Sequence, residues 1–345
     1  MPRHRLDQVE RPRLRVEAAE AVDGWLGGAA RDELDAVGEE RLLARAREQV
    51  AFHLGARAHE IVFTSGATES ATTAVAGLLA RAGGGHVVCP TGERPSLLAA
   101  VHRHADAVGW VEPEPTGWVD DRRLVAEIRA DTALVCLGVA DRRHGVLQPV
   151  DPLVAACADR GVATIVDTSV AAGRHRLDRW STRPDVVVLD GHQLAGMPGI
   201  GAIAVRRGVR LEPLLAGGDD RSRRPGTPNL PGALALGAAA ASLPPDVLHR
   251  ERQHRDQLHQ RLTRRLRAST DIELIGIEGS TVGLGVTVAV DDARATAARL
   301  ADRGIAVEVV EPDLVRLAAG RSTTIGDVEA AAAAFGASAT VHRLR

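Results

Sequence analysis

Two short apolar runs, each ending in polar residues, determine how this sequence folds. The first is IVDTS at 165–169, and the second is DVVVLDGHQ at 185–193, which GMPGIG at 196–201 follows. Both runs have the length and β-branched composition of strands buried on both faces of a sheet. In parallel sheets, ligands gather at the carboxyl ends of the strands. We therefore expect Asp167 and His192 to lie at one ligand-binding edge.

The alternation of strand and helix continues around these runs. Residues 39–54 have the apolar spacing of a helix, and Gly55 is its predicted stop. Further strands are predicted at 86–89, 108–111, 132–139 and 161–167, with helices at 96–104, 120–130 and 151–159 between them. This order predicts a mostly parallel sheet sandwiched by helices.

The C-terminal third has a different order of elements. A long charged helix at 246–268 precedes strands near 272–275 and 281–290, a helix at 291–303, strands at 305–310 and 313–318, and a helix at 325–336. That order is typical of a small α+β domain. We therefore divide the chain into an N-terminal arm at 1–35, a large α/β domain at 36–240, and a long helix with a small domain at 241–345.

A glycine turn before a helix gives the first functional signal. In EIVFTSGATES at 60–70, the turn leads into a helix whose first N–H groups and dipole favour a phosphate. Together with the strings at 165–178, 185–206 and 217–227, this string resembles the class V aminotransferase and cysteine desulfurase branch of the pyridoxal-phosphate (PLP) enzymes. The resemblance implies an α/β fold of the fold type I PLP-transferases, PLP as the cofactor, and a homodimer.

The resemblance also implies roles for individual residues. Thr68 and Ala67 would contact the cofactor phosphate, Asp167 its pyridine nitrogen, and His192 its pocket. Thr227 lies in a loop that, in the family, reaches the phosphate held by the neighbouring subunit. Each of these residues also has a structural explanation: Thr68 as a helix start, Asp167 as an acceptor for loop N–H groups, and His192 as a half-buried polar residue.

Several positions depart from the family pattern, and three of them bear most directly on the cofactor. Gln193 stands where the family has the lysine that holds PLP as a Schiff base, and the 345 residues contain no lysine. Asp190 replaces a Ser or Thr that donates to the phosphate. An ionised Asp190 would repel that phosphate: at ~4 Å and an effective dielectric of ~20, each pair of like charges costs on the order of 4 kcal/mol. Arg94 stands where the family stacks a His on the cofactor ring.

A substrate residue is retained, but the sulfur-carrying cysteine is not. Arg316, in LVRL at 314–317, matches the arginine that grips a substrate carboxylate as a bidentate fork. The loop that bears the persulfide-forming Cys is missing, and no Cys follows Cys157. Cys89, Cys136 and Cys157 have no metal-ligand spacing, so we predict neither a metal site nor a disulfide.

Two hypotheses follow. In the first, the protein is a cysteine desulfurase-like pseudoenzyme that serves as an interaction or dimer subunit, as a homodimer or with an active paralogue. Arg94 or Arg142 would then close the former pocket by reaching Asp167 and Asp190. In the second, an enzyme uses non-covalently bound PLP for C–S lyase or aminotransferase-type chemistry on an amino acid, with His192 or Asp190 moving the α-proton. Whether the protein is an enzyme stays open at this point.

The charge and the apolar content of the chain limit the kinds of partner that we expect. The formal net charge of −2 gives no reason to expect a nucleic-acid partner. The N-terminus carries charges instead of an apolar core, and no run of 18 apolar residues occurs, so we predict neither a signal peptide nor a membrane span. We expect a cytoplasmic protein with reduced cysteines.

Overall fold

The computed structural model describes residues 3–9, 11–30, 35–218, 223–269, 274–275 and 281–336. These residues form two compact units. The larger unit contains Leu14–Arg142 and Val146–Pro245, and the smaller unit contains Met1–Arg13, Arg143–Gly145 and Asp246–Arg345. The predicted strand residues 272–273 and part of the loop at 217–228 lie outside the described residues.

The helices and strands follow the predicted alternation. The helices are α1 (Val16–Ala30), α2 (Ala36–Leu54), α3 (Ala67–Ala82), α4 (Pro95–His104), α5 (Asp121–Ala126), α6 (Val150–Ala158), α7 (Leu230–Ala241), α8 (Pro245–Ser269), α9 (Ala293–Asp302) and α10 (Ile325–Gly336). The strands are β1 (His4–Arg5), β2 (Ile61–Thr64), β3 (His86–Pro90), β4 (Ala107–Val111), β5 (Thr132–Gly138), β6 (Ala163–Asp167), β7 (Val186–Asp190), β8 (Gly201–Val205), β9 (Leu274–Ile275), β10 (Val286–Ala289), β11 (Ile305–Ala306), β12 (Glu308–Glu311) and β13 (Leu314–Leu317).

The larger unit is built on a seven-stranded sheet. Its strand order is β2-β8-β7-β6-β5-β3-β4, and β8 runs antiparallel to both of its neighbours while the remaining pairs are parallel. The strands at the centre, β5 to β8, are almost fully buried because α3 to α6 flank the sheet. The predicted mostly parallel α/β fold is confirmed.

Local sequence signals set the boundaries of α2. The Asp35 side chain accepts a hydrogen bond from the Gly38 N–H, which satisfies one of the free donors of the first turn. At the other end, Gly55 adopts φ 61°, and a Cβ there would lie 2.7 Å from the carbonyl oxygen of Asp178. Only glycine fits this left-handed position without strain, so the predicted helix stop at Gly55 is confirmed.

The smaller unit contains a four-stranded antiparallel sheet in the order β12-β13-β10-β9. The N-terminal segment joins this unit because β1 pairs in parallel with β11 and Leu6 is fully buried in its core. The structure therefore divides the segment at 1–35, which we predict as one arm: β1 belongs to the smaller unit and α1 to the larger. The pairing joins residues 301 positions apart, and local patterns do not reveal it.

Candidate active site

The carboxyl ends of three neighbouring strands form one edge of the large sheet. Gly138 ends β5 and lies directly beside Asp167, which ends β6, and Asp190 ends β7 on the next strand. A cavity opens at this edge. Its lining includes Glu93, Arg94, Asp141, Arg142, Asp167 and Val170. The structure thus brings Asp167 and Arg94 together, as we expect from the sequence.

The cavity is narrow. The space that the centre of a water molecule can occupy is about 10 Å³, which is roughly one water's worth. The loop after β3 brings in Arg94, and the segment after β5 brings in Asp141 and Arg142. These charged side chains line the cavity.

Asp167 presents an acceptor atom without a donor. Its side chain is 3% exposed, and Oδ1 accepts a hydrogen bond from the Ser169 N–H at 2.8 Å. Oδ2 is equally buried and has no hydrogen-bond partner. Buried polar atoms are nearly always hydrogen-bonded, so this atom fits a ligand that brings an N–H donor, such as a protonated pyridine nitrogen.

Arg94 and Asp190 face each other at the same edge. Arg94 Nη2 lies 3.9 Å from Asp190 Oδ2, and Oδ1 of Asp190 accepts from the His192 N–H at 3.0 Å. Burial raises the pKa of Asp190 above its usual value, while Arg94 and His192 act in the opposite direction. Asp190 is therefore an acid whose charge depends on a neighbouring guanidinium.

Glu93 is a buried acid at this site that we do not single out from the sequence. Its Oε1 accepts a hydrogen bond from the Gly138 N–H at 2.7 Å. Burial raises the pKa of Glu93 to about 8; the bond from Gly138 and the charge of Arg94 lower it, and Asp167 and Asp141 raise it further. The signal available in the sequence was its position directly before Arg94 in a polar turn.

Gln193 and His192 lie in the tight turn after β7. Gln193 is 7% exposed and His192 is half-buried. The turn is closed by hydrogen bonds from the Ala195 N–H to the His192 carbonyl and from the Gly196 N–H to the Gly191 carbonyl. Neither His192 nor Gln193 is among the described residues that line the cavity.

The start of α3 holds an acid beside the predicted phosphate residues. Gly66, at φ 144°, precedes Ala67 without a side-chain cap, and Thr68 is exposed. Glu69 accepts from the Ser65 N–H at 2.7 Å and from Arg224 Nε at 2.9 Å. Burial would raise the pKa of Glu69, but these bonds hold it below its usual value. A charged carboxylate therefore stands next to the helix start.

Two further predicted residues lie elsewhere. Thr227 is exposed, three residues after Arg224 in the same loop. Arg316 is buried in the smaller unit, where its Nε donates to Glu308 Oε2 at 2.7 Å and its Nη1 to the carbonyl of Arg143 at 3.1 Å. Its predicted role toward a substrate stays a prediction.

The three cysteines are buried thiols without a disulfide. In the described part of the chain, no group of three His, Cys, Asp or Glu side chains is arranged to hold a metal ion. None of the helices within the described ranges combines the length and apolar character that a membrane crossing requires.

The chain is similar in sequence to class V aminotransferases and cysteine desulfurases. The sequence model of the family "Aminotransferase class-V" matches residues 27–312. "Cysteine desulfurase 2" of Trichormus variabilis is 35% identical over 266 residues, which cover 71% of this chain and 67% of that protein. The mitochondrial cysteine desulfurase of Drosophila melanogaster is 37% identical over 209 residues, covering 58% of this chain and 45% of its own length.

Solved structures agree in fold. A NifS-like protein superposes with a TM-score of 0.90 at 20% identity, covering 98% of this chain and 99% of its own. DndA from Streptomyces lividans superposes with a TM-score of 0.72 at 27% identity, covering 84% of this chain and 86% of its own. The NifS-like protein, at 20% identity, supports the fold alone. DndA is similar to this chain in both fold and sequence.

Proposed function

Because this chain belongs to the class V aminotransferase family, whose members depend on PLP, we propose that it is a cysteine desulfurase-like pseudoenzyme that acts as an interaction or dimer subunit. The observation that carries this proposal is the pairing of Arg94 with Asp190 at the edge where the family binds its cofactor. When bound, PLP supplies an electron sink for charge that develops beside the amino group of an amino acid.

The first support is chemical. Gln193 occupies the position of the family lysine, and an amide nitrogen does not add to an aldehyde as an amine does. The sequence offers no other lysine to take its place. This chain therefore has no side-chain amine with which to hold PLP covalently.

The second support is the charge at the edge of the sheet. Asp190 and Glu69 are carboxylates close to the positions that the family uses for the cofactor phosphate. A phosphate dianion at ~4 Å from one ionised carboxylate would lose on the order of 8 kcal/mol at an effective dielectric of ~20, about 4 kcal/mol for each of its two charges. Arg94 already offsets part of the charge of Asp190 within the chain.

The third support is an apolar surface on α1 and α2. Val16, Leu26, Val37 and Phe52 are all more than half exposed, and Phe52 reaches 73%. Exposed apolar side chains that share neighbouring helices mark an interaction surface. Both helices pack on α7 within the larger unit, so this surface has a rigid base. We propose that a second subunit covers it, either another copy or an active paralogue in the cytoplasm.

Co-expression tests the subunit proposal. The tagged chain is expressed with an active cysteine desulfurase of the same organism, and the purified complex is assayed for sulfide release. In a heterodimer, Thr227 would complete the phosphate site of the partner, so Thr227→Ala lowers the partner's activity while Thr72→Ala, at a half-buried threonine on α3, does not. If Thr227→Ala leaves the partner's activity unchanged, the heterodimer proposal is wrong. If the chain remains a monomer with and without the partner, the proposed subunit role is wrong.

A second function is favoured by one observation, the unpaired Oδ2 of Asp167. Asp167 would hold the ring nitrogen of a non-covalently bound PLP, and Thr68 the phosphate end. His192 or Asp190 would then hold or move the proton of an amino-acid substrate. Complete inactivity on cysteine and its derivatives, with saturating PLP added, would exclude this alternative.

A further inference from the structure

Arg316 and Glu308 form a buried ion pair inside the smaller unit. Arg316 is 2% exposed and Glu308 is 4% exposed. Oε2 of Glu308 accepts from Arg316 Nε at 2.7 Å, and Oε1 accepts from the Val9 N–H at 2.6 Å. The carboxylate thus receives donors from both a side chain and the backbone.

The sheet fixes this pair. Glu308 on β12 lies directly opposite Arg316 on the antiparallel strand β13, so their side chains share one face of the sheet. The N-terminal segment adds Val9, and the short segment at 143–145 adds the carbonyl of Arg143. All four groups belong to the smaller unit. The geometry is therefore a property of this unit by itself.

The arrangement is that of a carboxylate-binding site. A guanidinium and a backbone N–H that converge on two carboxylate oxygens are the donors that proteins use to bind small carboxylates. A buried guanidinium without a counter-charge is strongly destabilising, so the site requires an anion. Here the anion comes from the chain.

We infer that Arg316 and the Val9 N–H form a carboxylate site that Glu308 occupies as a built-in ligand, which withholds Arg316 from external amino acids. In the native chain, we expect no free amino acid to bind through its carboxylate at Arg316. Removal of the Glu308 carboxylate should convert the internal site into one for a small carboxylate in solution.

Acetate is the matched probe. Glu308→Ala removes the CH₂ and carboxylate groups of the side chain, which together have the size and charge of acetate. The full-length variant is unfolded by heat in increasing acetate, with chloride replacing it at constant ionic strength and pH 7. We expect the midpoint of Glu308→Ala to rise with acetate, because a ligand that binds only the folded state stabilises it.

Two controls separate a binding site from a general salt effect. In the first control, the native protein, Glu308 already fills the site. In the second, Glu308→Ala/Arg316→Met, both charges are removed, and proteins often tolerate the replacement of a whole buried ion pair by apolar side chains. Neither should respond to acetate more than to chloride. If Glu308→Ala does not fold in chloride, refolding is compared in the two salts, and recovery in acetate alone supports the site.

Three results would overturn the inference: equal effects of acetate and chloride on folded Glu308→Ala, no recovery of an unfolded Glu308→Ala in either salt, or the same acetate response in the double variant. The measurement needs neither PLP nor turnover. Its failure therefore leaves the proposed pseudoenzyme untouched, and a failure of that proposal leaves the carboxylate site untouched.

Discussion

Arg94 Nη2 lies 3.9 Å from Asp190 Oδ2, at the edge of the sheet where Asp167 keeps an unpaired oxygen. The two residues come from different parts of the chain, the turn after β3 and the end of β7. Their pairing explains how an acid is tolerated at a half-buried position, because a nearby cation offsets part of the cost of burying it.

Asp190→Ser should raise the affinity for PLP at least tenfold and so produce a saturable absorbance shift that the native protein lacks. The substitution removes one negative charge, supplies a hydroxyl donor and leaves the Arg94 guanidinium to face the phosphate. The change in affinity is measured by absorbance titration with PLP. Asp246→Ser is the control, because it removes the same charge from an exposed residue of the smaller unit. If Asp190→Ser also gave no saturable shift, Asp190 would not be the group that opposes the phosphate.

Glu93→Gln should stabilise the protein increasingly between pH 5 and pH 8. The pKa of Glu93 is raised from 4.5 to about 8 in the folded state. Below pH 4.5 both states hold the proton; as the pH rises toward 8 only the unfolded state loses it, so the native protein loses stability. Gln keeps the acceptor for the Gly138 N–H without this penalty.

The expected advantage of Glu93→Gln at pH 8 is on the order of 1–5 kcal/mol. Urea unfolding of both proteins at several pH values gives the difference in free energy directly. A constant difference across this range would contradict a protonated Glu93 in the folded state.

Glu60→Gln should have the opposite dependence on pH. Burial would raise the pKa of Glu60, but bonds from Arg183 and from the N–H groups of Arg57 and Arg207 lower it from 4.5 to about 2. Because the folded pKa is the lower one, this stability is present above pH 4.5 and is lost as the pH falls through about 2.

At pH 7 the ionised Glu60 contributes on the order of 3 kcal/mol to the free energy of unfolding. We expect native protein and Glu60→Gln to differ by about this amount in urea at pH 7 and to converge toward pH 2. If the gap between them were the same at pH 7 and pH 3, the bonds around Glu60 would not depend on its charge.

Phe52→Glu should weaken self-association without unfolding the chain. The side chain is 73% exposed on α2, so its replacement removes no core packing, and a charge within a subunit interface is costly to desolvate. Sedimentation equilibrium of native and variant protein measures the change. Val309→Glu, at an exposed position of the smaller unit, is the matched control. A dimer that is unaffected by Phe52→Glu would place the interface elsewhere.

Features that rest on local patterns could be predicted from the sequence. The strand ending at Asp167, the helix before Gly55 and the glycine turn before Ala67 are all found where the pattern indicates. Each depends on neighbouring residues: apolar periodicity, a left-handed position, or a helix start. The family resemblance also puts Arg94 at the same pocket as Asp167, and both line the cavity.

Features that rest on distant contacts could not be predicted. Glu308 gives no sign in the sequence that it faces Arg316, since the register of two antiparallel strands decides it. The burial of Glu93 depends on the backbone of Gly138, which lies 45 residues away. A charged residue in a polar turn is usually exposed, so the pattern alone points away from the buried acid that the structure contains.

The absorbance titration of the purified protein with PLP, followed by borohydride reduction and intact-mass measurement, tests the central claim most directly. We predict no saturable shift of the free-aldehyde band and no PLP adduct on any side chain, because the sequence has no lysine and Arg94 and Asp190 occupy the edge. A saturable shift that changes again when cysteine is added would contradict the pseudoenzyme and direct attention to Thr68, Asp167 and His192 as working residues.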